Sequence, residues 1–241
     1  MNESDRNLRI GIIGLGMMGK NHARVATETD GVDLVGIVDP MGDRFAASQG
    51  VPIFENLHEL LEVQIDMAIV AAPTSDHLSV GLELAEAGVH AMVEKPLADT
   101  IESATRLRDA FDAAGLVGCV GHIERFNPAL QELKQRLGDG QIGEIFQIAT
   151  RRVGPFPARI RDVGVVKDLA SHDLDLTAWI ADSPYESVNA QTAHRTGREF
   201  EDLVAVTGRL ANGVITNHLV NWLTPLKERL VTVTGTKGAF V

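Results

Sequence analysis

Short, strongly apolar runs punctuate the first half of the chain, at residues 8–13, 33–38, 66–72, 89–93 and 116–121. Continuous rather than alternating hydrophobicity marks strands buried on both faces, as in a parallel sheet. Residues 51–54 add a shorter strand, which Pro52 confines to a sheet edge. The stretches between predict helices over 17–29, 44–49, 57–63, 77–88 and 101–114, the third capped by Asn56, the last capped by Thr100 or Asp99 and ended by Gly115. Strand and helix in alternation require crossover connections, so the pattern predicts one doubly wound α/β domain, complete by residue 121.

Beyond that point the pattern changes. Asn127 before Pro128 is an N-cap followed by proline at the first helical position, which predicts a helix over 128–137. Strands follow at 145–152, 187–195 and 230–234, with 203–210 and 214–222 joined as a hairpin about Asn212-Gly213. Hairpin-linked strands with few helices predict an α+β domain over 122–241, with an open, mostly antiparallel sheet. Ala239-Phe240-Val241 starts an apolar strand without finishing it, so the expectation is a sheet cut short at the C-terminus, with an exposed edge.

Composition narrows the function classes. The net charge of −11 argues against nucleic acid or an anionic membrane as partner, and no apolar run is long enough to span a bilayer. The first residues do not resemble a signal peptide, so the expected location is cytoplasmic. One cysteine, Cys119, excludes a disulfide framework, and its apolar neighbours predict that it packs in the core.

The first apolar run leads into Gly14-Leu15-Gly16-Met17-Met18-Gly19, a G-x-G-x-x-G turn between a strand and a helix. Gly14 permits the tight turn, Gly16 a close approach by pyrophosphate, and Gly19 close packing of helix on sheet. Unpaired N–H groups around Met17 and Met18, with the positive end of the helix dipole, face that anion. Asp39, about 20 residues on at the end of the second strand, offers an acceptor to a ribose 2′-hydroxyl and repels a 2′-phosphate, which favours NAD over NADP. Thr74 and His77 follow the strand at 66–72 and are expected to border the cofactor; the plainer alternative is a helix cap and a first-turn polar residue. Glu94-Lys95-Pro96 leaves the next strand at the same edge and puts a lysine among possible reacting groups.

A second polar concentration lies between residues 151 and 179. If the chain is helical from Asp168, then Asp168, His172, Asp175 and Trp179 share one stripe. A carboxylate one turn from an imidazole suits a general base; a solvated Asp–His pair is the alternative. A metal site lacks a further ligand set, and Ser171 lacks a separate base. Arg151, Arg152, Arg159 and Arg161 form either a local site for a phosphate or carboxylate, or an ordinary surface or subunit interface.

Together the glycine turn, Asp39, Glu94-Lys95-Pro96 and the Asp168-x-x-x-His172 pair resemble the Gfo/Idh/MocA oxidoreductases, which act on sugars, cyclitols and related alcohols. The segments 121–128, 151–157 and 161–165 are similar to the branch that oxidises the 3-hydroxyl of UDP-N-acetylglucosamine. The resemblance implies an N-terminal NAD-binding Rossmann domain and a second domain that binds substrate and assembles a homodimer or homotetramer through its sheet. It implies His172 as proton acceptor, Asp168 as its orienting carboxylate and Lys95 as donor to the substrate oxygen. NAD is expected to touch Gly14, Gly16, Met17, Met18, Gly19, Asp39, Thr74, His77, Glu94 and Lys95. A UDP-sugar is expected to meet Lys95, His122, Arg125, Asn127, Arg152, Arg161 and His172, with no metal. A relative acting on a free sugar, inositol or another polyol, or a non-catalytic NAD-binding module, is the alternative.

Overall fold

A computed structural model describes residues 6–157, 160 and 163–241. The chain divides into two compact units, Met1–Gly121 and His122–Val241.

The first unit runs β1 (Leu8–Ile13), α1 (Gly19–Glu28), β2 (Val32–Val38), β3 (Ile53–Phe54), α2 (Leu57–Glu62), β4 (Met67–Val70), α3 (His77–Glu86), β5 (His90–Val93), α4 (Ile101–Ala113) and β6 (Gly118–Val120). Its six strands are all parallel, in the order β3-β2-β1-β4-β5-β6. Both faces are covered, which explains the unbroken apolar runs. Ile10, Ile12, Ile37 and Ala23 fill one side, while Ile13, Leu60, Val70, Leu84 and Leu107 fill the other. Each such buried aliphatic side chain stabilises the fold by about 1.5–3 kcal/mol. The order reverses between β1 and β4, so the carboxyl ends of those strands flank the crevice where ligands bind in open α/β sheets.

Two expectations fail in this unit. Residues 44–49 form turns, because the Asp43 carboxylate accepts the N–H groups of Ala47 and Ser48 at 2.8 Å each and so competes with a helical ladder. Ala46 and Gln49 accordingly take positive φ, at 50° and 52°. Cys119 is exposed rather than packed, since β6 is the last strand of the sheet and too short to be enclosed.

The second unit contains α5 (Pro128–Gly138), β7 (Ile145–Pro155), α6 (Ser171–Ile180), β8 (Tyr185–Ala193), β9 (Leu203–Leu210), β10 (Ile215–Asn221), β11 (Leu223–Gly235) and β12 (Gly238–Phe240). The sheet order is β12-β11-β7-β10-β9-β8, antiparallel except between β7 and β10. Ile148, Leu176, Ile180, Leu210 and Val233 form one core cluster; Val165, Val204, Val220 and Trp222 form another. β11 is longer than the pattern at 230–234 indicated, because a register shift between Leu223 and Glu228 accommodates Pro225 without ending the strand.

Candidate active site

At the end of β1 the glycine turn has the geometry its spacing implies. Gly14 lies at φ 94°, and a Cβ there would press on the backbone of Ala71 and Ala72. A Cβ on Gly19 would collide with the carbonyl oxygen of Gly14, whereas one on Gly16 would meet no protein atom within 4 Å. The turn is therefore closed on the protein side and open at Gly16. Helix α1 has no acidic residue in its first turn and no side-chain cap, while Met17 and Met18 stand exposed beside it. An uncapped, uncompensated helix N-terminus behind an open glycine fits a pyrophosphate.

This contrast gives a direct check. Gly19→Ala is expected to lower NAD affinity by roughly tenfold or more and to lower the melting temperature, because α1 must move. Gly16→Ala should weaken NAD as strongly while leaving the melting temperature unchanged. Calorimetric NAD titration with thermal melts reads both, and unchanged affinity in either variant counts against this turn as the pyrophosphate site.

Around the turn the other expected residues divide. Asp39 is 6% exposed, and its carboxylate accepts the N–H of Leu15 and of Met41, each at 2.8 Å. It thus braces the glycine turn itself. Thr74 is half-buried in a short 3₁₀ turn, Thr74–Asp76. His77 is 1% exposed; its ring nitrogens lie 3.0 Å from the carbonyl oxygens of Pro96 and Ala72. The imidazole holds the β4 and β5 exits together, so its expected place facing a ligand is replaced by a supporting one. Glu94 is likewise buried: His22 lies 2.8 Å from one oxygen, and the N–H of Lys95 donates to the other at 3.1 Å. Burial pushes the Glu94 carboxyl up, but the hydrogen bond and charge of His22 and the Lys95 N–H outweigh it and hold it below its ordinary range. The half-buried Lys95, on a cis bond to Pro96, leaves β5 from this braced point. Sequence spacing gave no warning of His22, three positions into α1.

In the second unit, Asp168 lies in a π-helical turn, Val166–Ala170, and His172 in the first turn of α6. Single π turns interrupt the regular ladder and recur at functional sites. Asp168, His172, Asp175 and Trp179 are all half-buried, as are Ser171, Leu174 and Ala178, and the π turn at Asp168 departs from the regular helix that the expected stripe assumes. Ser171 donates its hydroxyl to the carbonyl of Lys167 at 2.8 Å and is a helix-internal group. Asn127 accepts the N–H of Ala129 at 3.0 Å and caps α5. The Arg125 fork engages the Asp175 carboxylate, with Nε at 2.9 Å, and His122 Nε2 lies 3.4 Å from the same carboxylate.

The described members of the expected arginine site have acidic partners within the protein. Arg152 is buried and donates to Asp173 at 2.9 Å and to Glu124 at 2.7 Å. Burial alone would lower its pKa; the two carboxylates reverse that and raise it. Arg151 pairs with Glu228 at 3.1 Å, and Arg159 and Arg161 lie outside the described residues. The described half of the patch is thus matched by acids, because an inward-facing arginine on β7 cannot stay desolvated without counter-charge. Arg229, which sequence reasoning passed over, differs: it donates to the carbonyls of Val153 at 3.0 Å and Glu228 at 2.9 Å, and among the described residues it pairs with no carboxylate. It borders a cavity of about 490 Å³ with Glu124, Arg152 and Asp173. No metal-holding group of acids, histidines and cysteines occurs among the described residues, and none of their helices is long and apolar enough to cross a membrane.

An all-parallel sheet in this order, with an open glycine turn at a helix N-terminus, defines a dinucleotide-binding Rossmann unit, here joined to a mixed-sheet unit. Residues 8–122 match the family profile described as oxidoreductase family, NAD-binding Rossmann fold, and residues 130–241 match the GFO/IDH/MocA C-terminal domain. The chain belongs to the Gfo/Idh/MocA oxidoreductase family. It is 31% identical over 214 residues to UDP-N-acetylglucosamine 3-dehydrogenase of Acidithiobacillus ferrooxidans, covering 88% of this chain and 66% of that protein. It is 31% identical to inositol 2-dehydrogenase of Acidothermus cellulolyticus, covering 88% and 65%. Among solved structures, the WlbA dehydrogenase from Bordetella pertussis in complex with NADH and UDP-GlcNAcA superposes with a TM-score of 0.88 at 31% identity, over 98% of this chain and 73% of that one. The chain spans about two thirds of the length of the curated relatives it matches.

Proposed function

We propose that this chain carries the catalytic parts of an NAD-dependent dehydrogenase that oxidises a secondary hydroxyl of a sugar or cyclitol to a ketone. The observation that supports it most is an open glycine turn at a helix N-terminus in a chain whose second unit carries Asp168 and His172 four positions apart, in a π-helical turn and the start of α6. NAD, when bound, supplies the hydride acceptor. The glycine turn and the N–H groups of α1 hold its pyrophosphate, and Asp39 stiffens that turn. His172 takes the hydroxyl proton at an imidazole nitrogen, and Asp168 fixes the ring orientation and favours the imidazolium. Lys95 donates to the substrate oxygen and stabilises its developing negative charge.

Within this reading the substrate is most specifically a UDP-sugar, oxidised at the 3-hydroxyl. Two features favour it over an uncharged polyol. The first is similarity to relatives whose names carry UDP-N-acetylglucosamine or UDP-GlcNAcA. The second is Arg229, a guanidinium at a cavity wall with main-chain rather than carboxylate partners.

Absorbance at the reduced-nicotinamide band tests both levels, on mixing the protein with NAD and, in parallel, UDP-N-acetylglucosamine, free N-acetylglucosamine or inositol. A rise with the nucleotide sugar alone is expected. A rise with inositol alone retains the dehydrogenase and overturns the UDP-sugar, and silence with all three while NAD binds favours the non-catalytic module.

A further inference from the structure

We propose that Asp173 is a positioning residue for the reaction: through a buried polar cluster it sets the helical turn that presents His172. This rests on the reading of His172 as the base.

Asp173 follows His172 in sequence and is buried within the second unit, 2% exposed, where His172 is half-buried. Arg152 of β7 donates its Nε to one Asp173 oxygen at 2.9 Å and a terminal N–H to Glu124 at 2.7 Å. Glu124 belongs to the 3₁₀ turn Ile123–Phe126, so one guanidinium ties three segments together. From the same buried face of β7, the Thr150 hydroxyl lies 2.8 Å from His218 Nδ1. His218 Nε2 in turn lies 2.9 Å from the Tyr185 hydroxyl. The donors fall into one consistent direction. Tyr185 donates to Nε2 and Nδ1–H donates to Thr150, a tautomer assigned from the network. Two residues further along the helix, on another face, the Arg125 fork takes Asp175. The first turn of α6 is thus gripped from two sides by charged forks.

Two physical points make this more than packing. Desolvating Arg152 with two carboxylates costs several kcal/mol per ion, and apolar residues of similar volume would hold the helix to the sheet at least as well. What the ionic arrangement adds is direction: a planar fork fixes Asp173, and hence the rotation of α6, in a way that methyl groups do not. Rotation matters here because the π-helical turn just before α6 removes the regular ladder that would otherwise set the phase of His172 relative to Asp168. Misplacement of a reacting group by about 1 Å lowers rates by roughly a hundredfold.

Asp173→Asn keeps the side chain's size and removes its charge. At a temperature where both proteins are fully folded, kcat is expected to fall roughly tenfold to a hundredfold, with the sugar KM and the NAD Kd within about twofold of wild type. A purely structural role would instead lower the melting temperature and leave kcat per folded molecule unchanged, and that result overturns the proposal. If Asp173→Asn does not fold, Arg152→Lys decides: it keeps a positive charge beside Asp173 and removes the planar fork, and a severalfold fall in kcat with KM unchanged is expected. Wild-type kcat in Arg152→Lys overturns the proposal in that case. His172→Ala run alongside separates the two readings. Wild-type turnover in that variant removes His172 as the base, and loss in the Asp173 variant alone then shows that Asp173 does not act through His172.

Discussion

Turnover of the sugar by His172→Ala is expected to fall by roughly a hundredfold to ten-thousandfold, the range that a positioned general base contributes. NAD affinity should not change, because the residues read as holding the dinucleotide lie in the first unit and His172 in the second. Lys95→Met is expected to lose turnover over a similar range, through loss of a donor to the developing alkoxide rather than loss of a proton acceptor, and, because Lys95 lies in the first unit, its NAD affinity is measured alongside. The two variants separate by pH. Alkaline buffer raises the fraction of ionised sugar hydroxyl, so His172→Ala should regain activity as pH rises, whereas Lys95→Met should not. Steady-state rates across pH 6–10, with NAD titrated separately, give the answer. Near wild-type rates in both variants would remove the proposed proton path, and loss of NAD binding in His172→Ala would assign that residue to the cofactor.

The second large effect concerns stability. His218 is 3% exposed, and burial holds its pKa down from 6.5 to about 4. The neutral ring is the folded form, accepting from Tyr185 and donating to Thr150. Unfolding frees the ring to bind a proton below pH 6.5, so the unfolded chain binds more protons between pH 6.5 and 4 and stability declines as pH falls through that window. Full expression of the shift is worth about 3 kcal/mol, all of it present above pH 6.5. Urea unfolding at intervals from pH 7.5 to 4 should therefore show a steeper acid loss in the wild type than in His218→Gln, which has no titrating ring. Parallel curves for the two proteins would mean that His218 is protonated in the folded state or solvated by an opening of the sheet.

Much of the first unit could be read from its residues, because a strand buried on both faces leaves no polar positions to confuse the pattern. The runs at β1, β2, β4 and β5 stand out for that reason, and the glycine turn is fixed by sterics that only glycine satisfies. Where side chains compete with the main chain, the reading failed: Asp43 turned an expected helix into a loop. Edge position, which no local pattern records, left Cys119 exposed. In the second unit the arginines of β7 stand out in an acidic chain as forks suited to an anion or as surface and interface residues, and neither expectation considers which way a strand residue faces. Parity held the correction: Ile148, Thr150 and Arg152 share one face of β7, and Thr216, His218 and Val220 share one face of β10, all six buried. An apolar residue in each set marks that face as inward, and of their polar neighbours Thr150, Arg152 and His218 find interior partners, whereas the buried Thr216 hydroxyl has none among the described residues. The four-residue spacing of Asp168 and His172 is legible in the sequence, whereas the π-helical turn that holds Asp168 is not.

The single parallel pair in the second sheet bears on how the chain is made. β7 lies between β11 and β10, and Gln147 pairs with Ile215 on one edge and Thr234 on the other. A ribosome delivers β7 long before either neighbour exists, so this central strand must wait with both edges bare while helices, loops and a hairpin are synthesised. Contacts this distant in sequence form slowly, and an unpaired strand invites pairing with another nascent chain. Arg151 and Arg152 sit in the middle of that waiting strand and discourage such encounters by charge repulsion. The pair that later anchors β7 to Glu228 on one face and to Glu124 and Asp173 on the other thus guards the same segment during biogenesis.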